Sequence, residues 1–267
     1  MGLDITTGAQ RPELLDGLVQ ATTFDSGFPP FVLADPTGVF MFSPEGLRAF
    51  AEHVLVATQE DQPDRLVAVA NTVPFRARRG TDEGSDEQPG ELPDGGWDTV
   101  IRWGVFDRLH GYPPDTLAGL GVSLDPELQG RGLAATMVEA MREHCRSLGF
   151  ARLVVPLRPP RKADEPDVPM TEYAQRLRAD GLPADPWMRV HARLGATMVK
   201  VAPMAMVVAE PLTQWREWTG LPFDTTGKVR VPGALAPVLT DVEHDYAVYV
   251  EPNIWIQHEL SSAPPPH

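Results

Sequence analysis

The stretch DPELQGRGLAATMVEAMREH, Asp125 to His144, changes character partway along. It begins as a turn carrying Gly130 and Gly132 one residue apart and passes directly into a strongly helical segment. The first amides of a helix have no acceptor within it, and the helix dipole puts positive charge behind them. Glycines there remove the Cβ atoms that would keep an anion away and permit a positive φ, so the turn suits a phosphate. The same pair is also compatible with ordinary turn chemistry. A Walker loop is excluded, because no Gly-Lys-Ser/Thr follows. A dinucleotide fingerprint is disfavoured, because no acid lies between Glu143 and Asp164 to hold a ribose.

Working outward, Leu133, Met137, Val138, Met141, Cys145 and Leu148 recur at helical intervals up to Gly149 and draw an apolar stripe. Cys145 sits within that stripe, which predicts a buried structural thiol. TLAGLGVSL before the turn and ARLVVPL after the helix read as buried strands, together a strand, helix, strand unit with a parallel crossover. Upstream, RPELLDGLVQAT and SPEGLRAFAEH predict helices, the second with Ser43 as N-cap and Pro44 behind it. HVLVATQE and RLVAVANTVPFRA predict an antiparallel hairpin across DQPD, and WDTVIRWGVFDRLHG a helix ending at Gly111. Downstream, a helix is expected around Thr171 to Arg178. Another is expected in DPWMRVHARLG, with Asp185 as N-cap and Gly195 closing it; TMVKVAPMAMVVAE reads as a strand pair or one bent strand. The C-terminal segments TQWREWTG, YAVYVE and NIWIQHEL are aromatic and β-rich.

The chain has 267 residues, 42% of them hydrophobic and 22% charged, which is ordinary for a soluble globular protein. No window approaches the ~20 apolar residues of a membrane span, and the start lacks a signal-peptide pattern, so a cytoplasmic location is expected. A net charge of −14 argues against nucleic-acid and anionic-membrane partners. A single cysteine excludes an intrachain disulfide and a cysteine-rich zinc site, and the scattered histidines offer no metal site.

LQGRGLAATMVEAM resembles the acyl-CoA-binding motif of the GNAT acyltransferase superfamily: Gln or Arg, two residues, Gly, one residue, Gly or Ala. Gln129, Gly132 and Ala134 fill the three fixed places, with Gly130 as the usual residue after the first. The strand ending in VSLDPE, the strand ARLVVPL, and VHARLGATMV fit the family's order of elements. DPWMRVHARLGA and YVEPNIW resemble uncharacterised actinobacterial members. The resemblance implies an α/β fold with a mixed central sheet whose two middle strands splay apart, flanked by helices and followed by a β-rich C-terminal extension. One unit is expected over residues 1–210 with an extension at 211–260 packed on it, and composition marks an acidic loop at 80–96 and a disordered tail at 261–267.

The co-substrate implied is acetyl-CoA or another acyl-CoA. The backbone of Val122, Ser123 and Leu124 would hold its pantetheine arm, and Gln129, Gly130, Arg131, Gly132, Leu133 and Ala134 its pyrophosphate. The reaction implied is direct acyl transfer to the amine of a small molecule. An alkylamine with a pKa near 10 must lose a proton first, and the leaving thiolate must gain one. The family's usual proton donor, a tyrosine three residues before a Leu-Gly in the late helix, is replaced here by His191, which leaves Tyr173 as another candidate. TLAGLGVSL lacks the family's usual carboxylate base, so Glu251 is a candidate from elsewhere. Arg158, Trp187 and Arg189 are candidates for the acceptor pocket; salt bridges with nearby acids are the alternative for the arginines. Trp215, Trp218, Tyr249 and Trp255 are expected to cap the open sheet edge, or to build the acceptor site or a homodimer interface. The missing carboxylate and tyrosine also admit a non-catalytic acyl-CoA-binding or sensing protein.

Overall fold

The structure, a computed structural model, describes residues 2–20, 27–77 and 91–260. In chain order the elements are β1 (Leu3–Thr7), α1 (Pro12–Gln20), α2 (Pro30–Leu33), α3 (Pro36–Met41), α4 (Pro44–Ala49), β2 (Val54–Gln59), β3 (Gln62–Phe75), α5 (Gly96–His110) and β4 (Thr116–Leu124). There follow α6 (Leu133–Ser147), β5 (Arg152–Leu157), α7 (Met170–Tyr173), α8 (Pro186–Arg193), β6 (Thr197–Pro211), α9 (Leu212–Thr219), β7 (Gly227–Val229), β8 (Val238–Asp241) and β9 (Tyr246–Glu259). The expected acidic loop lies mostly outside the described residues, and the expected tail entirely so.

The strands form one mixed sheet in the order β1-β2-β3-β4-β5-β9-β8-β7, with β6 also pairing β9. All neighbours run antiparallel except β4 and β5, which are parallel and meet only at Leu117↔Leu153 and Ala118↔Val154. Beyond those two positions β4 stays with β3 as far as Leu124↔Ala68, while β5 stays with β9 as far as Leu157↔Ile254. The strands therefore part, and one backbone edge of β4 faces the opening. Within β4, Leu120 is an extra residue, because Asn71 pairs with Gly121 and Thr72 with Gly119. A bulge of this kind increases local twist and turns the strand away from its neighbour.

Each face of the sheet is covered. One cluster gathers α6, α8 and the inward side chains of β3 to β5; another gathers α2, α3, α5 and α9 over β6 and β9. The α6 stripe buries Leu133, Met137, Val138, Met141 and Cys145, while Leu148, at the helix end, turns outward. Cys145 donates its S–H to the Arg152 carbonyl at 3.2 Å, and burial pushes its pKa up to about 12. It is an inert thiol. On the other face α5 buries Trp97, Val100 and Ile101, and Gly104 lets it lie close: a Cβ there would sit 2.4 Å from Val73 and 2.9 Å from the Pro74 carbonyl. Phe106 and Leu109 of the same helix are exposed, because the burying face follows Trp97 and Gly104.

Several expectations are corrected. The hairpin turn is Glu60-Asp61, not DQPD; Pro63 to Arg65 bulge out between the pairs Gln59↔Gln62 and Thr58↔Leu66, where a missing N–H is tolerated. The helix near Thr171 stops at Tyr173, because Arg176 and Arg178 instead exchange backbone hydrogen bonds with Ala184 and Leu182. TQWREWTG is helical, opened by Pro211 and closed by Gly220 in the left-handed region. TMVKVAPMAMVVAE is one bent strand, the second of the two forms expected of it, with two irregularities.

The largest correction concerns YAVYVE and NIWIQHEL, which are one continuous strand. It does not cap an edge: β6 runs along one side of β9, and β5 and β8 share the other. Trp255 is fully buried there, and its Nε1–H donates to the Pro93 carbonyl at 2.9 Å. Trp255→Ala is expected to lower unfolding free energy by about 3–5 kcal/mol, read as a shifted urea midpoint.

Candidate active site

The loop from β4 to α6 is built to present amides. Asp125 accepts from the Glu127 amide at 2.9 Å and opens a 3-10 turn over Pro126–Leu128. Arg65 holds both Asp125 and Glu127 at 2.8 Å, which draws these acids away from the helix start. Gly130 and Gly132 have φ of 76° and 84°, and a Cβ on either would meet no atom within 4 Å. Gly132 is the N-cap of α6 without any side-chain cap. Among the described residues the amides of Gly130 to Ala134 have no acceptor. Gly130, Gly132, Leu133 and Ala134 line a cleft of about 290 Å³ whose opposite wall is Val190 and Arg193 of α8 and Leu194, which caps that helix.

The open edge of β4 runs into this cleft. Val122, Ser123 and Leu124 pair with Ala70, Val69 and Ala68 on one side, leaving their other side to the opening. Leu124 lines the cleft, and Arg131 is exposed beside it. Arg193 was missed by sequence reasoning. The spacing of Val190, Arg193 and Leu194 on one helix face is the signal that would have found it.

The proposed catalytic side chains do not converge there. His191 is on the other side of α8, 2% exposed, with its Nδ1 2.9 Å from Nε2 of His258. Burial, and then the neighbouring His258, push its pKa down to about 3. It is a neutral imidazole sealed in the core and does not line the cleft. The Tyr173 hydroxyl is buried too and donates to Asp185 Oδ2 at 3.0 Å; burial, followed by the Asp185 charge, raises its pKa well above the usual tyrosine value. Glu251 is 1% exposed and saturated: Arg158 Nε and the Tyr249 hydroxyl donate to Oε2 at 2.9 and 2.8 Å, and Asn253 donates to Oε1 at 3.1 Å.

Of the acceptor-pocket candidates, Arg189 donates to the Pro183 and Ala184 carbonyls and serves the loop before α8. Arg158 also donates to the Gly233 carbonyl at 2.6 Å and lies over the Phe28 ring. Trp187 stands beside His191, half-buried. The side chains nearest the β4 bulge were not anticipated. The Trp97 Nε1–H donates to the Leu120 carbonyl at 3.0 Å, and Asn71, opposite Gly121, keeps a buried Oδ1 without a partner. Among the described residues no cluster of three metal-ligating side chains occurs, and no helix is long and apolar enough to cross a membrane.

The profile of the acetyltransferase (GNAT) family matches residues 49–164. An arginine N-acetyltransferase of Aspergillus versicolor, avaD, is 31% identical to this chain across 97% of it and 94% of the fungal protein. The chain belongs to the GNAT family of N-acetyltransferases. Among solved structures, the loading GNATL domain of CurA from Lyngbya majuscula superposes with a TM-score of 0.52 at 15% identity, covering 97% of this chain and 98% of that one. The GphF GNAT-like decarboxylase, in complex with isobutyryl-CoA, superposes with a TM-score of 0.51 at 15% identity, covering 97% and 99%. Both likenesses are to the GNAT fold.

Two measurements test this geometry. In this GNAT protein, Gly132→Glu places a carboxylate where amides point outward, and it is expected to weaken CoA binding at least about tenfold by calorimetry. The buried imidazoles set an acid limit. His191, His258 and His53 have pKa values pushed down by burial to about 3, 4 and 4 from 6.5. Each binds a proton less readily folded than unfolded, so stability is full above pH 6.5 and falls as pH drops toward 4. Urea midpoints measured over that range should fall, and less steeply in a His191→Asn, His258→Asn double variant.

Proposed function

We propose that this protein transfers an acetyl group from acetyl-CoA directly to the amine of a small, cationic molecule, with L-arginine as the first acceptor to try. The observation that carries this reading is the free edge of β4 leading to an uncapped, glycine-opened helix N-terminus. On this reading the amides of Gln129 to Ala134 hold the pyrophosphate, with Arg131 and Arg193 adding charge. The edge of Val122 to Leu124 pairs with the pantetheine amides. The choice of acceptor is supported by the fungal relative's name and its end-to-end match.

The thioester lies beside the bulge at Leu120. The acceptor amine, deprotonated, attacks the carbonyl carbon; the C–S bond breaks and the thiolate leaves with a proton from solvent. Asn71 Oδ1 accepts a hydrogen bond from the amine or from the water that takes its proton. His191 and Tyr173 position α8 and the loop before it, since each is buried against a fixed partner. The enzyme works on a small molecule in the cytoplasm without a metal. Residues 1–210 and 211–260 act as one catalytic unit, with β9 inside the sheet.

Free thiol should appear when the protein is mixed with acetyl-CoA and L-arginine, with kcat on the order of 1–10 s⁻¹. His191→Asn should keep kcat within about threefold of the parent, because its role is structural. The withdrawal of His191 and Tyr173 favours one other reading, an acyl-CoA sensor; tight CoA binding with no thiol release across an amine panel would establish it.

A further inference from the structure

Alternate residues of β9 share one face, and Tyr249, Glu251, Asn253 and Trp255 point together toward α2, α3 and α5. Two more carboxylates are buried in that layer. Asp35 is 1% exposed; its Oδ2 caps α3 by accepting from the Gly38 amide at 2.7 Å, and its Oδ1 has no partner. Asp98, in the first turn of α5, is 6% exposed; its Oδ2 accepts from the Val207 amide at 3.3 Å, and its Oδ1 also has none.

The three acids are neighbours. A Cβ on Gly38 would be 3.4 Å from Asp35 Oδ2 and 3.1 Å from the Trp97 indole, so both flank Gly38, and Asp98 is near enough for the Asp35 and Glu251 charges to oppose its ionisation. Val207, which Asp98 engages, follows Met206, the strand partner of Glu251. Rings close the layer, with Phe31 set edge-on to Tyr249 at 5.2 Å.

Cations are too few for this set. Arg158 neutralises Glu251, but among the described residues neither Asp35 nor Asp98 has an ion pair. Arg102, near both, is exposed and donates to Thr99. A buried carboxylate with no counter-charge is costly, and the cost is not recovered inside this protein. Burial, then the Asp35 charge, raises Asp98 to about 7, and burial raises Asp35 as well. Perturbed acids of this kind gather where a site must meet an opposite charge.

This acid layer also adjoins the proposed reaction centre. Trp97 is tied to the Leu120 carbonyl at the bulge, and the Pro93 carbonyl just before α5 is held by Trp255. The start of α5, and Asp98 with it, is thereby fixed beneath the stretch where β4 leaves β5.

We propose that Asp35 and Asp98, with the Glu251–Arg158 pair behind them, bind the cationic group of the acceptor, a guanidinium or ammonium remote from the amine that is acylated. This rests on the acyl-transfer reading above and adds which end of the substrate is recognised, and by what. Each aspartate offers one free oxygen, and a planar guanidinium presents donors in a fork that can reach two acceptors. A neutral analogue leaves both oxygens buried and unpaired, so the site discriminates strongly.

The test uses the full chain, acetyl-CoA, L-arginine and its neutral ureido counterpart L-citrulline. The parent is expected to favour L-arginine at least about a hundredfold in kcat/KM. Asp98→Asn and Asp35→Asn should each cut that ratio at least about tenfold through KM, with CoA affinity unchanged; Asn keeps the α3 cap. Because Asp98 must be ionised to attract a cation, while both substrates' amines lose their own proton alike, the L-arginine to L-citrulline ratio of kcat/KM should rise as pH increases through about 7, and Asp98→Asn should flatten that rise. Purely structural aspartates would leave ratio and profile unmoved. Equal use of both amines by the parent, or variants that preserve the ratio, overturns the proposal. If neither amine is acetylated, the proposed reaction fails, and calorimetry on the CoA-saturated protein still decides the role of the aspartates. L-arginine binding with proton release near pH 7, without L-citrulline binding, supports it; equal or absent binding overturns it.

Discussion

The architecture depends on one unequal contest between strands. β5 has a partner on each side, but it shares only two residue pairs with β4 and is matched to β9 along its whole length. A parallel pairing that short cannot hold β4 against the twist introduced by the Leu120 bulge, so the sheet opens from that point. A sheet normally hides its backbone donors and acceptors. Here a row of them is left where β4 and β5 part, and the glycine turn lies at the end of that edge.

The two faces of the sheet then divide the labour. α6 and α8 cover one face, and where they meet they frame the glycine turn. α2, α3 and α5 cover the other, where apolar packing around Phe31, Trp97 and Trp255 is interrupted by carboxylates. The opening between β4 and β5 is the passage linking these faces. The reading proposed above puts cofactor and acceptor on opposite faces, to meet at the bulge without competing for space.

The turn of free amides was legible in the sequence because its geometry is local. Gln129 to Ala134 are contiguous, and a strand, two glycines and an amphipathic helix predict outward-facing amides without any tertiary knowledge. Asp185, Pro186 and Gly195 framed α8 for the same reason. What could not be read depends on contacts distant in the chain. His191 sits where a family donor would, yet His258, sixty-seven residues away, decides that it is buried. Asp35 and Asp98 look like ordinary helix-start acids, and only their convergence with Glu251 separates them from surface residues. Reading YAVYVE and NIWIQHEL as edge cover failed because nothing local marks a strand as interior.

That last strand has a consequence for how the molecule is made. β9 is the final element of the sheet to leave the ribosome, yet it forms the seam between β5, β6 and β8. Until it arrives, the nascent chain carries strands with unsatisfied edges and a half-assembled layer of tryptophans, the kind of surface that chaperones recognise and aggregates exploit. Synthesis of this protein therefore includes an interval of vulnerability whose length is set by the translation of residues 212–259. Slow codons in that stretch would prolong it without altering a single side chain.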